Sequence, residues 1–250
     1  VTKMVRVHSI NMDITTVLPC LLIFSIIACN SGKKENAVNI QWHGKITLVD
    51  STTIADDLLD FNDTAAYYPL YYIGKMHDTI YLGHKPVSMY ANEALYAKYD
   101  HANNWAMSAA RNMSIVVDTS LAVAHTTDFS HLEEDNQTVT LDSTKNYAAF
   151  PVFITNLSDS LLNIGNHNFV HWTIREAKNK SGQWHSIENR ITDLCGTAKR
   201  ELVLEPGDIA VAKLLRYKGK FKTECRLKFN WRNATVYSNS FFDYIDERQL

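Results

Sequence analysis

Nine histidines follow residue 28, and four cysteines and 27 acidic residues run along the chain, so metal and acid–base chemistry are the first things to look for. His167 and His171 stand four apart, which would put two imidazoles on one face of a helix. The surrounding FVHWTIREA alternates like a strand, so the pair reads as two surface histidines rather than ligands. His131 beside Glu133, Glu134 and Asp135 reads as a solvated acidic loop. Asp56, Asp57, Asp60 and Asp63 form the densest carboxylate cluster but lack the order of a calcium loop. No His-Glu-x-x-His, Gly-x-Ser-x-Gly, phosphate loop or dinucleotide fingerprint is present. No cofactor and no catalytic set is therefore expected. Five tryptophans offer a surface on which sugars stack. Trp172 and Trp231, however, fall on predicted inward faces and are expected in the core, leaving Trp42, Trp105 and Trp184 unassigned.

Two further kinds of chemistry come from cysteines and hydroxyls. Cys195 and Cys225 are the pair that remains beyond residue 29; in an oxidising compartment they either form a disulfide or stay as two thiols. Asp-Ser and Asp-Thr pairs recur at Asp50-Ser51, Asp63-Thr64, Asp78-Thr79, Asp142-Ser143 and Asp159-Ser160. They resemble the O-glycosylation sequon of Bacteroides-type bacteria, with Thr64, Thr79 and Ser160 as candidate acceptors. Ordinary turn chemistry accounts for the same pairs.

The elements that must position these groups begin with TVLPCLLIFSIIACNSGKKEN, residues 16–36. Its dense apolar run, 17–28, is too short to cross a bilayer unaided, where about 20 residues are needed. Lys3 and Arg6 ahead of it and Ala28 at its end have the layout of an export signal. Ile26-Ile27-Ala28-Cys29 resembles the bacterial lipobox, which implies lipidation at Cys29, a signal peptide over 1–28 and a tether over 29–39. An ordinary signal peptide and an N-terminal anchor helix are the alternatives. Lys3, Arg6 and Asp13 fall within the leader, so 25 basic and 27 acidic residues reduce to a net charge of about −3, with no electrostatic footprint for nucleic acid. The expected partners are the membrane, through the lipid, and an envelope protein or glycan. The expected location is the outer membrane of the cell envelope, facing either side.

The body reads as mainly β. KTECRLKFNW (222–231) alternates Cys225, Leu227, Phe229 and Trp231 against charged residues, and ATVYSNSFF (234–242) reads as its hairpin partner. ELVLEPGDIAVAKLLRY splits into two strands at Pro206-Gly207, and YAAFPVFITNLSDSLLNIG gives two more, with Pro151 expected at a strand start or edge. A β-sandwich over 137–250 is expected, joined by the polar stretch 126–136 to a β-rich region over 40–130 with one helix near 92–110. Tyr68-Pro69-Leu70-Tyr71 and Phe150-Pro151-Val152-Phe153, each followed by Asp-hydroxyl-aliphatic and a glycine, form a faint repeat of two hairpins.

The order of PVFITNLSDSLLNIG, SGQWHSIE, Cys195-Gly196, LEPGD, FKTECRLKF and VYSNSF resembles uncharacterised Bacteroides-type exported lipoproteins. That resemblance implies an immunoglobulin-like β-sandwich behind a lipid anchor and implies no activity. Three functions follow as expectations. The first is a non-catalytic binding or structural module of the envelope. The others are a glycan-processing or glycan-binding accessory protein and an immunity or inhibitor lipoprotein.

Overall fold

The computed structural model describes residues 46–53, 57–61, 65–88, 112–133, 139–190, 201–231 and 234–250. Seventeen strands dominate them. In chain order these are β1 (Thr47–Asp50), β2 (Ala65–Ala66), β3 (Leu70–Lys75), β4 (Thr79–Leu82), β5 (Met113–Val117), β6 (Val123–Leu132), β7 (Val139–Asn156), β8 (Leu162–Asn166) and β9 (Phe169–Val170). There follow β10 (Thr173–Lys178), β11 (Trp184–Ser186), β12 (Asn189–Arg190), β13 (Glu201–Leu204), β14 (Asp208–Leu215), β15 (Phe221–Trp231), β16 (Ala234–Tyr237) and β17 (Phe241–Ile245). The protein is mainly β, as expected. The helix expected near 92–110 lies outside the described residues. Among these there is no α-helix, and the one complete helical element is a 3-10 turn, Glu247–Gln249, with Asp246 and Gln249 forming its capping box.

Two five-stranded sheets share one core. The first runs β3-β14-β7-β5, with β6 also on β7; the second runs β11-β10-β15-β16, with β17 also on β15. Val152, Ile154, Ala212 and Leu214 of the first join Leu227, Phe229, Phe241 and Ile245 of the second in one buried cluster. Phe150 meets Phe241 edge-on at 6.3 Å between them. A three-stranded sheet, β13-β8-β9, adds Leu162, Ile164, Leu202 and Leu204 to the same cluster. The first sheet is covered on its other face as well. Ile209 and Val211 of β14, with Phe153 and Tyr71, pack against Ile80 and Leu82 of the parallel β1–β4 pair. Burial on both faces explains why β14 reads as the near-continuous apolar run IAVAKLL rather than alternating.

The strand patterns of the sequence are present, but their pairing differs from the simplest reading. β13 and β14 do separate at Pro206-Gly207, where Gly207 takes φ +74°, yet they enter different sheets. Strands of 40–130 and of 137–250 are interleaved, since β3 and β5 pair with β14 and β7. Residues 126–132 are likewise strand rather than linker, forming a ribbon with β7 that extends to Leu132↔Val139. The two aromatic-proline segments are not hairpins, because β4 pairs with β1 and β8 with β13 and β9. They do flank one strand symmetrically: Leu70 and Val152 both face Ala212, from opposite sides of β14. Pro151 sits inside β7, not at its start. Its carbonyl accepts from the Asp118 amide (3.1 Å), so its missing N–H faces the gap between β5 and β6, where no ladder bond is lost.

The largest departure is at FVHWTIREA. The chain leaves the three-stranded sheet after β9 and joins the second sheet at β10, and Trp172 makes the corner with φ +58°. A left-handed residue costs about 1–2 kcal/mol for a non-glycine, and it resets the alternation. Thr173, Arg175 and Ala177 therefore share the face of Phe229, Leu227 and Cys225.

Candidate functional site

Two charge networks lie inside the fold. Arg175 is wholly buried between the sheets because the corner at Trp172 turns it inward. Its Nε lies 3.5 Å from Glu188 and its Nη1 3.5 Å from Asp243, while Nη2 donates to the Leu215 carbonyl. Glu188 accepts from Tyr68, from Tyr217 (2.8 Å) and from the Arg175 amide (2.8 Å). Burial opposes the Arg175 charge, but Glu188, Tyr217, Tyr68 and Asp243 more than offset it and raise its pKa. Burial, then Glu188, pushes both tyrosines up, so they remain O–H donors. The second network lies under the β1–β4 pair. Lys213 is buried with its Nζ 2.8 Å from Asp50, 2.6 Å from the Ala124 carbonyl and 4.1 Å from the Tyr71 ring centroid. Burial pulls its pKa down against the hydrogen bond to Asp50. Next to it His125, held 3.0 Å from the Tyr71 hydroxyl, is lowered to about 4 by burial and then by the Lys213 charge. Both networks bind strand to strand within the core.

The tryptophans expected inward lie at the margin of the core. Trp172 stacks on Trp231 at 3.5 Å and 23° and meets Phe229 edge-on. Both are only partly buried. Gly165 makes the neighbouring β8–β9 hairpin possible, since a Cβ there would lie 2.1 Å from the Phe169 carbonyl oxygen. An open cleft of about 340 Å³ lies elsewhere, near Phe61, Glu188, Arg248 and Gln249. Among its described lining residues the cation is Arg248, held by Asp246 through two hydrogen bonds and stacked on Phe61 at 3.9 Å.

The outer face of the second sheet is the surface that carries chemistry. Alternation along β15 sends Lys222, Glu224, Arg226 and Lys228 outward. The register sets Tyr244 opposite Lys222, Phe242 opposite Glu224, Glu176 opposite Arg226 and Tyr237 opposite Lys228. Arg226 lies between two rings, 4.3 Å from Trp184 and 3.7 Å from Tyr237, and bonds Glu176 at 2.9 Å. Lys228 reaches the other oxygen of Glu176 at 2.8 Å. Lys178 bonds Glu224 and lies 5.0 Å from the Trp184 ring centroid. That bond, with one from Ser240, lowers the Glu224 pKa, so it is ionised. Lys222 is exposed and contacts the Phe242 and Tyr244 rings at 5.8 and 6.0 Å. Among the described residues it meets no carboxylate within ion-pair distance. Phe242 is 65 % exposed and Tyr244 43 %.

The sequence-derived candidates scatter. Cys29, Thr64 and Cys195 lie outside the described residues. Cys225 is a buried thiol whose pKa burial raises to about 12. Thr79 opens β4, exposed, and Ser160 lies partly exposed in the β7–β8 turn. His131 sits on the β6–β7 ribbon with Asp142 (2.6 Å) and Glu133 (3.5 Å). Among the described residues no group of histidine, cysteine and acidic side chains is arranged to hold a metal ion, and no helix is long and apolar enough to cross a membrane. Lys213 is not among these candidates, although a lysine inside IAVAKLL is a readable sign of a buried charge. Phe242 and Tyr244 are not among them either, since FFDYI does not say which of its two faces is inward. Comparison with protein-family models, curated proteins and solved structures returns no match.

Proposed function

We propose that the protein is a lipid-anchored component of the cell envelope, tethered through Cys29, whose immunoglobulin-like sandwich acts as a non-catalytic binding module for an envelope protein or glycan. The observation that carries this reading is an asymmetry between the two sheets. The first sheet has its outer face covered by the β1–β4 pair, and its buried lysine is held there. The second leaves rings and cations facing outward on a rigid, paired scaffold, with Phe242 and Tyr244 standing in solvent. The strongly perturbed groups Arg175, Tyr68, Tyr217 and Lys213 hold strands together, a structural use of charge. The leader and lipobox resemblance supply the location. Mass spectrometry of the protein from its native membrane is expected to find Cys29 as an acylated N-terminus. A photocrosslinking residue at position 242 is expected to capture one recurrent envelope component. An unacylated product retaining residues 1–28, or a featureless crosslinking background, would refute the proposal.

A second reading, an inhibitor or immunity protein acting through a strand edge, is favoured by the β6–β7 ribbon. Val139 and Leu141 stand exposed along it, and Asp128–Thr144, Thr126–Asn146 and His131–Asp142 tie its strands. Such a ribbon offers unpaired backbone groups to another chain. Loss of inhibition on introducing proline into β6 would support it.

A further inference from the structure

We infer that the outer face of the second sheet binds an acidic polysaccharide, with the Phe242 and Tyr244 rings of β17 stacking on sugar faces and Lys222 meeting a carboxylate. This names the ligand class of the binding module and rests on that reading. Four cations and two acids project from the strip formed by β10 and β15, namely Lys178, Lys222, Arg226 and Lys228 against Glu176 and Glu224. The strip is thus positive by two on a chain whose formal net charge is −2. Three of the cations are already engaged by the two acids, and Lys222 is the one left facing solvent between two exposed rings. Lys218 and Lys220, just upstream, are exposed as well.

The layout suits an acidic sugar. Phe242 and Tyr244 stand on β17, the strand next to Lys222, roughly 4.8 Å away, so a sugar stacked on either ring brings its carboxylate to the ammonium. Rings stack on the apolar faces of sugars, while lysine ammonium groups act as point charges for carboxylates. A bilayer would demand that apolar groups form the most projecting layer. Here Trp184 lies beneath Lys178 and Arg226, and the ionised Glu224 occupies the middle of the strip. Both features count against a lipid surface and are compatible with a hydrated polyanion.

The test uses the protein with three probes: polygalacturonate, its fully methyl-esterified form, and phosphatidylglycerol vesicles. Polygalacturonate is expected to bind and to weaken as salt rises. The neutral ester and the vesicles are expected to bind at least about fivefold more weakly. Phe242→Ser and Tyr244→Ser should each weaken polygalacturonate binding by about fivefold or more. Lys222→Gln should flatten the salt dependence and Lys222→Arg should retain it. Leu141→Ser, on the ribbon, should leave binding unchanged. All five changes are at exposed positions, so unchanged urea midpoints verify folding. Equal binding of the ester, preferential binding of vesicles, or indifference to the three substitutions Phe242→Ser, Tyr244→Ser and Lys222→Gln would overturn the inference. If none of the probes binds while position 242 still crosslinks to one envelope component, the acidic-glycan assignment alone falls.

Discussion

Acidification should weaken this protein through His125 in particular. The imidazole lies beside Lys213 under the β1–β4 pair and is lowered to about 4 from an ordinary 6.5, burial being the larger cause and the lysine charge the second. In the unfolded chain His125 takes up a proton as pH falls through 6.5, whereas in the folded protein it does so only near 4. Between those values the unfolded state binds more protons, so stability is full above pH 6.5, falls as pH drops towards 4, and levels off below. The difference corresponds to about 3 kcal/mol in total, of which about 2 kcal/mol is lost by pH 5. Urea unfolding followed by tryptophan fluorescence at pH 7, 6 and 5, on the wild type and His125→Gln, isolates the contribution. The difference in unfolding free energy between the two should shrink by about 2 kcal/mol from pH 7 to pH 5. Parallel profiles would refute the argument, because they would mean that His125 is hydrated, or charged, in the folded state.

Other perturbations test the core and the corners. Lys213→Met strands Asp50 beneath β1 and should cost about 3–5 kcal/mol, and the double change Lys213→Met with Asp50→Leu should recover most of it; urea midpoints measure both. Gly219→Ala should abolish folding or cost more than about 3 kcal/mol, since a Cβ there would lie 1.9 Å from the Ile245 carbonyl carbon, with backbone on both sides of the clash. Gly182→Ala, in open space but at φ +77°, should cost only about 1 kcal/mol, and thermal unfolding separates the two. The Cys225 thiol, raised to about 12 by burial, should stay unlabelled by alkylating reagent at pH 8 in the folded protein and react fully in urea, as read by peptide mass mapping.

Much of the fold was legible wherever one face of a strand meets water. Along 222–231 the period-2 pattern places Cys225, Leu227 and Phe229 in the core, because alternation is a local consequence of the pleat. The turn at Pro206-Gly207 was equally local, and so was the break between β7 and β8. FVHWTIREA was not legible in this way, because a left-handed tryptophan shifts the phase and exchanges the faces of the strand after it. No periodicity announces such a corner, since it is stabilised by Trp231 and by a change of sheet, both distant in sequence.

The sequence by itself determined a β-built body, most of its strands, the turn residues between many of them, and the absence of familiar catalytic spacings. Only the tertiary structure decided which strands pair, that β13 and β14 part into different sheets, and that Arg175, Lys213 and Asp243 lie inside rather than on the surface. The reason is physical. Pleat and turn preferences act over a few residues, whereas burial of a charge depends on what covers it. Here the cover comes from partners as remote as Asp50 for Lys213 and Asp243 for Arg175. The outward rings of β17 follow the same rule, for Asp243 faces the core only because two arginines meet it there, and that choice turns Phe242 and Tyr244 to the solvent.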